Sequence, residues 1–80
     1  DEFDGKLLEI LGNRMKVADK IGLWKKEKNV AILQNQRWNE ILGKMILEGE
    51  EKGLSNEFVM HLFKAIHQES ITHQEKVINK

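Results

Sequence analysis

The sequence predicts an all-α fold of three helices, the first of them long, and three observations carry that prediction. Apolar residues recur every three or four positions through three separate stretches, the spacing of a helix face packed on a core. No stretch alternates apolar and polar residues as a half-buried strand would. Asparagine, glycine and serine fall at the joins between the stretches, where helices stop and start.

The first helix is expected from about Phe3 to Glu27, with Leu8, Leu11, Met15, Ala18 and Gly22 as its seam. At ~1.5 Å per residue it would exceed roughly 35 Å, more than a chain of this size needs for itself, which argues for a partner. Asn29 is placed to end it, and Val30 to Leu33 read as a short extended connection. The second helix is expected from about Gln36 to Lys52, with Asn35 as N-cap and Ile41, Leu42, Met45 and Ile46 as its apolar side. Gly53 can take the left-handed conformation that closes a helix, and Leu54 follows as the apolar contact of such a stop. Ser55 caps the third helix, Leu54 and Val59 make a hydrophobic staple, and Glu57 suits the positive end of the dipole. The third helix should run to about Ile78.

Eighty residues, 40% hydrophobic and 32% charged, make a single domain over residues 1–80 with room for one core. A chain this short buries only ~60% of its unfolded surface, so a second copy would be a natural source of further burial. Thirteen basic residues balance thirteen acidic ones, so no overall field gathers nucleic acid. The basic run at residues 24–28 suits a helix C-terminus. Without cysteine there is no disulfide and no thiolate metal site, which fits a reducing, cytoplasmic setting. No apolar run has the length of a membrane span.

Each predicted helix brings polar groups toward its apolar side. On the third helix the series Val59, Phe63, Ile66, Ser70, Gln74, Val77 is interrupted by a hydroxyl and an amide. On the first, Arg14, Ala18, Ile21 and Lys25 share a face, with Arg14 and Lys25 about 16 Å apart along it. On the second, Arg37 lies one turn before Ile41. An unpaired buried polar group costs ~1–3 kcal/mol, so these groups need partners. Any one of them has an ordinary explanation: Arg and Lys can snorkel to water, and Ser70 can bond the carbonyl of Ile66. Together, three cations and two neutral hydrogen-bonding groups describe a pocket for a small, oxygen-rich polyanion.

Other constellations carry less. His61, His67 and His73 step by six residues, about 240° of rotation each time, and cannot share a face as metal ligands. Glu69 and His73 are spaced for a surface pair, and Ser70 lacks the oriented base of a nucleophile. His67 and His73 read as bystanders, and Trp24 and Trp38 as core or interface aromatics.

Three runs carry a family resemblance: LLEILGNRMKVADKIGLWKKEKNV, QNQRWNEIL and GLSNEFVMHLFKAIHQESITHQ. Across residues 7–75 they resemble the chorismate mutase domain of the all-helical AroQ class. The marks are an Arg and a Lys eleven apart on the first helix, an Arg opening the second, and Ser-x-x-x-Gln on the third. The wording is most similar to mutase domains fused to DAHP synthase.

The resemblance implies an intertwined homodimer of three-helix protomers that converts chorismate to prephenate, a Claisen rearrangement needing no cofactor. It implies that Arg14 binds a substrate carboxylate, that Lys25 contacts a carboxylate and the ether oxygen, and that Gln74 donates to the same oxygen. Ser70 would help hold a carboxylate, Arg37 would line the pocket, and a main-chain contact from Gln34 would meet the ring hydroxyl. Ile21, Ile41 and Ile71 would supply apolar walls. Trp38 stands where the family often has Glu. A further family Arg, contributed across the dimer, would fall a few residues before Asp1, so the first helix is expected to lack its start and the chain to have reduced activity. A noncatalytic helical interaction or regulatory domain that keeps the fold is the competing reading.

Overall fold

The structure, a computed structural model, describes residues 1–32 and 35–79 and, of residue 35, the backbone only. Among the described residues the regular structure is helical, with α1 at Glu2–Lys28, α2 at Asn35–Glu51 and α3 at Asn56–Ile78, and no strand. Each boundary lies within two residues of the expected one. Asn35 enters α2 as its first residue rather than preceding it.

The helix ends show why the boundaries fall where they do. Asp1 Oδ1 accepts from the N–H groups of Phe3 at 2.6 Å and Asp4 at 3.1 Å, satisfying two of the first-turn donors of α1. At the other end Asn29 takes the left-handed conformation, φ 56°. The Val30 N–H then reaches the carbonyl of Lys25 at 2.9 Å and the Asn29 N–H that of Lys26 at 3.4 Å, the paired bonds of a Schellman stop. Lys25, Lys26 and Lys28 gather in this last turn, where the dipole favours cations. Gly53, φ 81°, performs the same stop for α2, with Leu54 N–H to the Gly49 carbonyl at 2.9 Å and Gly53 N–H to that of Glu50 at 3.1 Å. Ser55 Oγ accepts from the Phe58 N–H at 3.2 Å and so caps α3 as expected.

The chain divides into two compact units, Asp1–Ile32 with Gln68–Lys80, and Leu33–His67, so that α3 belongs to both. In the second unit Val59 is the fully buried side chain, and Gly49 beneath it is buried too. A Cβ at Gly49 would meet Val59 Cγ2 at 2.6 Å and Leu54 Cβ at 3.7 Å, so both members of the predicted staple converge over this glycine. Ile41, Leu42, Met45 and Ile46 are half-buried on the expected side of α2. Trp38 is half-buried and stacks on His67, ring centroids 3.9 Å apart and planes 7° from parallel. His67 is therefore a packing partner of Trp38.

In the first unit the seam of α1 closes toward its C-terminal half. Leu11 and Met15 are half-buried, Ala18 and Gly22 buried, while Leu8 is 70% exposed. The side chains shorten along the seam, and the backbones approach accordingly. A Cβ at Gly22 would lie 2.9 Å from Gln74 Cα and 3.2 Å from its carbonyl oxygen. Only glycine permits that approach.

Candidate functional site

The close approach at Gly22 brings the end of α1 against the polar interruption of α3. Lys25, one turn after Gly22, donates from Nζ to Gln74 Oε1 at 2.9 Å and to the backbone carbonyl of Ile32 at 3.1 Å. Gln74 donates in turn from Nε2 to Ser70 Oγ at 3.1 Å. Lys25, Gln74 and Ser70, singled out from sequence on two different helices, thus form one hydrogen-bonded chain. Gln74 is 6% exposed, the buried polar residue of the described chain. Its amide orientation is fixed by chemistry, because an ammonium can only donate and so must face Oε1.

An inventory of hydrogens shows what this chain can still bind. Lys25 Nζ has three N–H bonds and spends two; Gln74 Nε2 has two and spends one; Ser70 accepts and keeps its own O–H. Three donors remain on three adjacent groups. Among the described residues no carboxylate pairs with Lys25, so its charge is not neutralised. Burial lowers the Lys25 pKa from the ordinary 10.5 by disfavouring the charged form. An unneutralised, part-buried cation beside two spare neutral donors suits an oxygen anion or an oxygen on which negative charge grows. The ordinary explanation for Ser70, a bond back to its own helix, describes Thr72 instead, whose Oγ1 donates to the Gln68 carbonyl at 3.0 Å.

The other candidates stand differently. Arg14 is exposed, three turns before Lys25 on α1. Arg37 belongs to the other unit, where its side chain is 70% exposed and Nη1 lies 3.9 Å from Glu40 Oε2. The expected inward tilt of Arg37 is thus absent: a guanidinium reaches water and an i, i+3 acid more cheaply than it sheds its hydration. Gln34 lies outside the described residues. Ile41 and Ile71 are half-buried and Ile21 is exposed.

Comparison with known proteins decides the family. The family model described as chorismate mutase type II matches residues 1–75. The chain belongs to the chorismate mutase type II family. A bifunctional chorismate mutase/prephenate dehydratase from Buchnera aphidicola subsp. Acyrthosiphon pisum (strain APS) is 32% identical over 80 residues, which is all of this chain and 21% of that protein. The chain therefore spans about a fifth of the length of this relative. No solved structure matches. In that relative a chorismate mutase accompanies a prephenate dehydratase, not the DAHP synthase that the wording of the sequence suggested. The chorismate mutase family is one of isomerases, and the three helices without strand among the described residues fit its all-helical fold.

Around the Lys25, Gln74 and Ser70 cluster, two features escaped the sequence. One is the Gly22 contact, signalled only by the taper Leu11, Met15, Ala18, Gly22 along the seam. The other is His73, whose Nδ1 lies 2.8 Å from Asp19 Oδ1, with Nε2 4.0 Å from Glu69. The Glu69 pairing was legible from i, i+4 spacing, whereas Asp19 is 54 residues away and no local pattern links it to His73.

Proposed function

We propose that this chain carries out the rearrangement of chorismate to prephenate at the Lys25, Gln74 and Ser70 cluster. The observation that supports it is the set of three spare donors around an unneutralised ammonium. The reaction is intramolecular: a carbon–oxygen ether bond breaks as a carbon–carbon bond forms, and no proton or nucleophile has to be delivered. The protein has to hold the substrate folded and stabilise negative charge growing on the ether oxygen. The third N–H of Lys25 and the second of Gln74 supply that stabilisation, and the Ser70 hydroxyl holds a carboxylate. Arg14 binds a carboxylate from further along α1; roles for Arg37 and Gln34 in substrate binding rest on the family resemblance alone.

The working form is an intertwined homodimer in the cytoplasm. Phe3, Leu7, Leu8, Ile10, Val17 and Trp24 are exposed along α1, more apolar surface than one helix leaves in water without a partner. A fused second domain is part of this reading; the relative favours a prephenate dehydratase, while the DAHP synthase alternative rests on sequence wording. Loss of chorismate absorbance on adding the purified chain, with prephenate as the sole product, tests the activity. Absence of turnover favours the noncatalytic reading, to which Trp38, stacked on His67 where the family often has Glu, lends some support.

A further inference from the structure

Three residues of α1 touch α3 in succession. Asp19 meets His73 at 2.8 Å, Gly22 meets the backbone of Gln74, and Lys25 meets the Gln74 side chain at 2.9 Å. Steps of three residues turn a helix by about −60°, so Asp19 and Lys25 stand on opposite flanks of the Gly22 contact. His73 and Gln74, about 100° apart on α3, answer them on the same two flanks. The glycine contact acts as a fulcrum. An Asp19–His73 bond on one side opposes rotation of α3 that would carry Gln74 away from Lys25 on the other.

We propose that Asp19 and His73 are positioning residues that set the rotation of α3 and thereby the aim of the Gln74 amide. The carboxylate can only accept, so the imidazole proton sits on Nδ1 and the bond is directional. Glu69, on α3 itself, lies 4.0 Å from Nε2, beyond hydrogen-bond distance, so the bond to Asp19 is the one that directs the ring. A rotation of about 10° moves an atom roughly 6 Å from the helix axis by about 1 Å. Displacement of that size at a reacting centre can lower a rate by as much as ~100-fold. The Gly22 backbone contact alone does not resist it, because a contact on the axis between two cylinders is where rolling is easiest.

This inference rests on the proposed mutase reading, and its test separates the two. Asp19→Ala, His73→Ala, Gln74→Ala and the double variant Asp19→Ala/Gln74→Ala are compared for kcat and KM on chorismate, with Asp19→Asn as the conservative replacement. The expected result is a kcat loss of roughly tenfold for each single change at Asp19 or His73 with little change in KM, and recovery of most of that rate in Asp19→Asn. The double variant should be no slower than Gln74→Ala, since a pair acting through Gln74 has nothing left to aim. Multiplicative losses in the double variant, or single variants at full rate, overturn the proposal. Independently of turnover, the Gln74 side-chain amide resonances should shift in Asp19→Ala and stay near their original positions in Asp19→Asn. Unmoved resonances in Asp19→Ala sink the positioning role even in a chain with no activity, while loss of wild-type turnover with shifted resonances sinks only the mutase reading.

Discussion

Replacing Gly22 with alanine sets two effects of known sign against each other. Helix propensity alone favours alanine over glycine by ~1 kcal/mol in a helix interior. The new methyl, however, would lie 2.9 Å from Gln74 Cα, 3.2 Å from its carbonyl oxygen and 3.3 Å from its Cβ. Those are backbone atoms and the root of a side chain, so none can swing aside. Restoring ordinary carbon contacts of ~3.5–4.0 Å requires α1 and α3 to part locally by about 0.5–1 Å. Overpacking of this kind costs ~1–3 kcal/mol, which outweighs the propensity gain. The Lys25–Gln74 bond, now 2.9 Å, is one turn away and would stretch to the limit of a hydrogen bond. We expect Gly22→Ala to lower the thermal midpoint and to reduce kcat by about 10- to 100-fold. Gly43→Ala is the control: nothing lies within 4 Å of its would-be Cβ, so it should gain ~0.5–1 kcal/mol and keep its rate. Thermal melts and initial rates on both variants decide the matter. A Gly22→Ala protein that behaves like Gly43→Ala would refute the close-approach reasoning.

Three further expectations concern charge and backbone. Because burial makes folded Lys25 release its proton more readily than the unfolded chain does, the alkaline fall in kcat/KM should begin below pH 10.5 and move upward in Lys25→Arg. Stability should shift the opposite way over the same window, rising as pH climbs from the lowered value toward 10.5, since there the unfolded state holds more protons; urea melts at stepped pH would show it. Gly53→Ala forces a side chain into φ 81° and should cost ~1 kcal/mol or more with kinetics unchanged, which denaturant unfolding beside a rate assay would check.

The elements were legible because their ends are written locally. Asn29, Gly53 and Ser55 each do in the structure what their residue type suggests, through bonds spanning no more than five residues. The polar interruption at Ser70 and Gln74 was also legible, since a stripe shows its exceptions against its own period. The direct bond between Lys25 and Gln74 was not legible: stripe spacing puts Lys25 on the inner face of α1, and the family resemblance brings both residues to one substrate oxygen without saying that they meet each other. The pairs Asp19 with His73 and Trp38 with His67 were illegible for the same reason, being contacts between distant stretches with no repeating signal. Arg37 follows the ordinary explanation for a cation at a stripe edge, its long side chain reaching Glu40 and water.

On the proposed mutase reading, an unneutralised ammonium on α1, held against an amide on α3, stabilises the charge that develops as the ether bond breaks. Turnover of chorismate by Lys25→Ala tests it most directly, read beside a melting curve of the same protein. We expect a kcat lower by about 100-fold or more in a chain that still folds, the scale of losing one preorganised donor to a developing anion. A folded Lys25→Ala protein that turns over chorismate at the wild-type rate would contradict it.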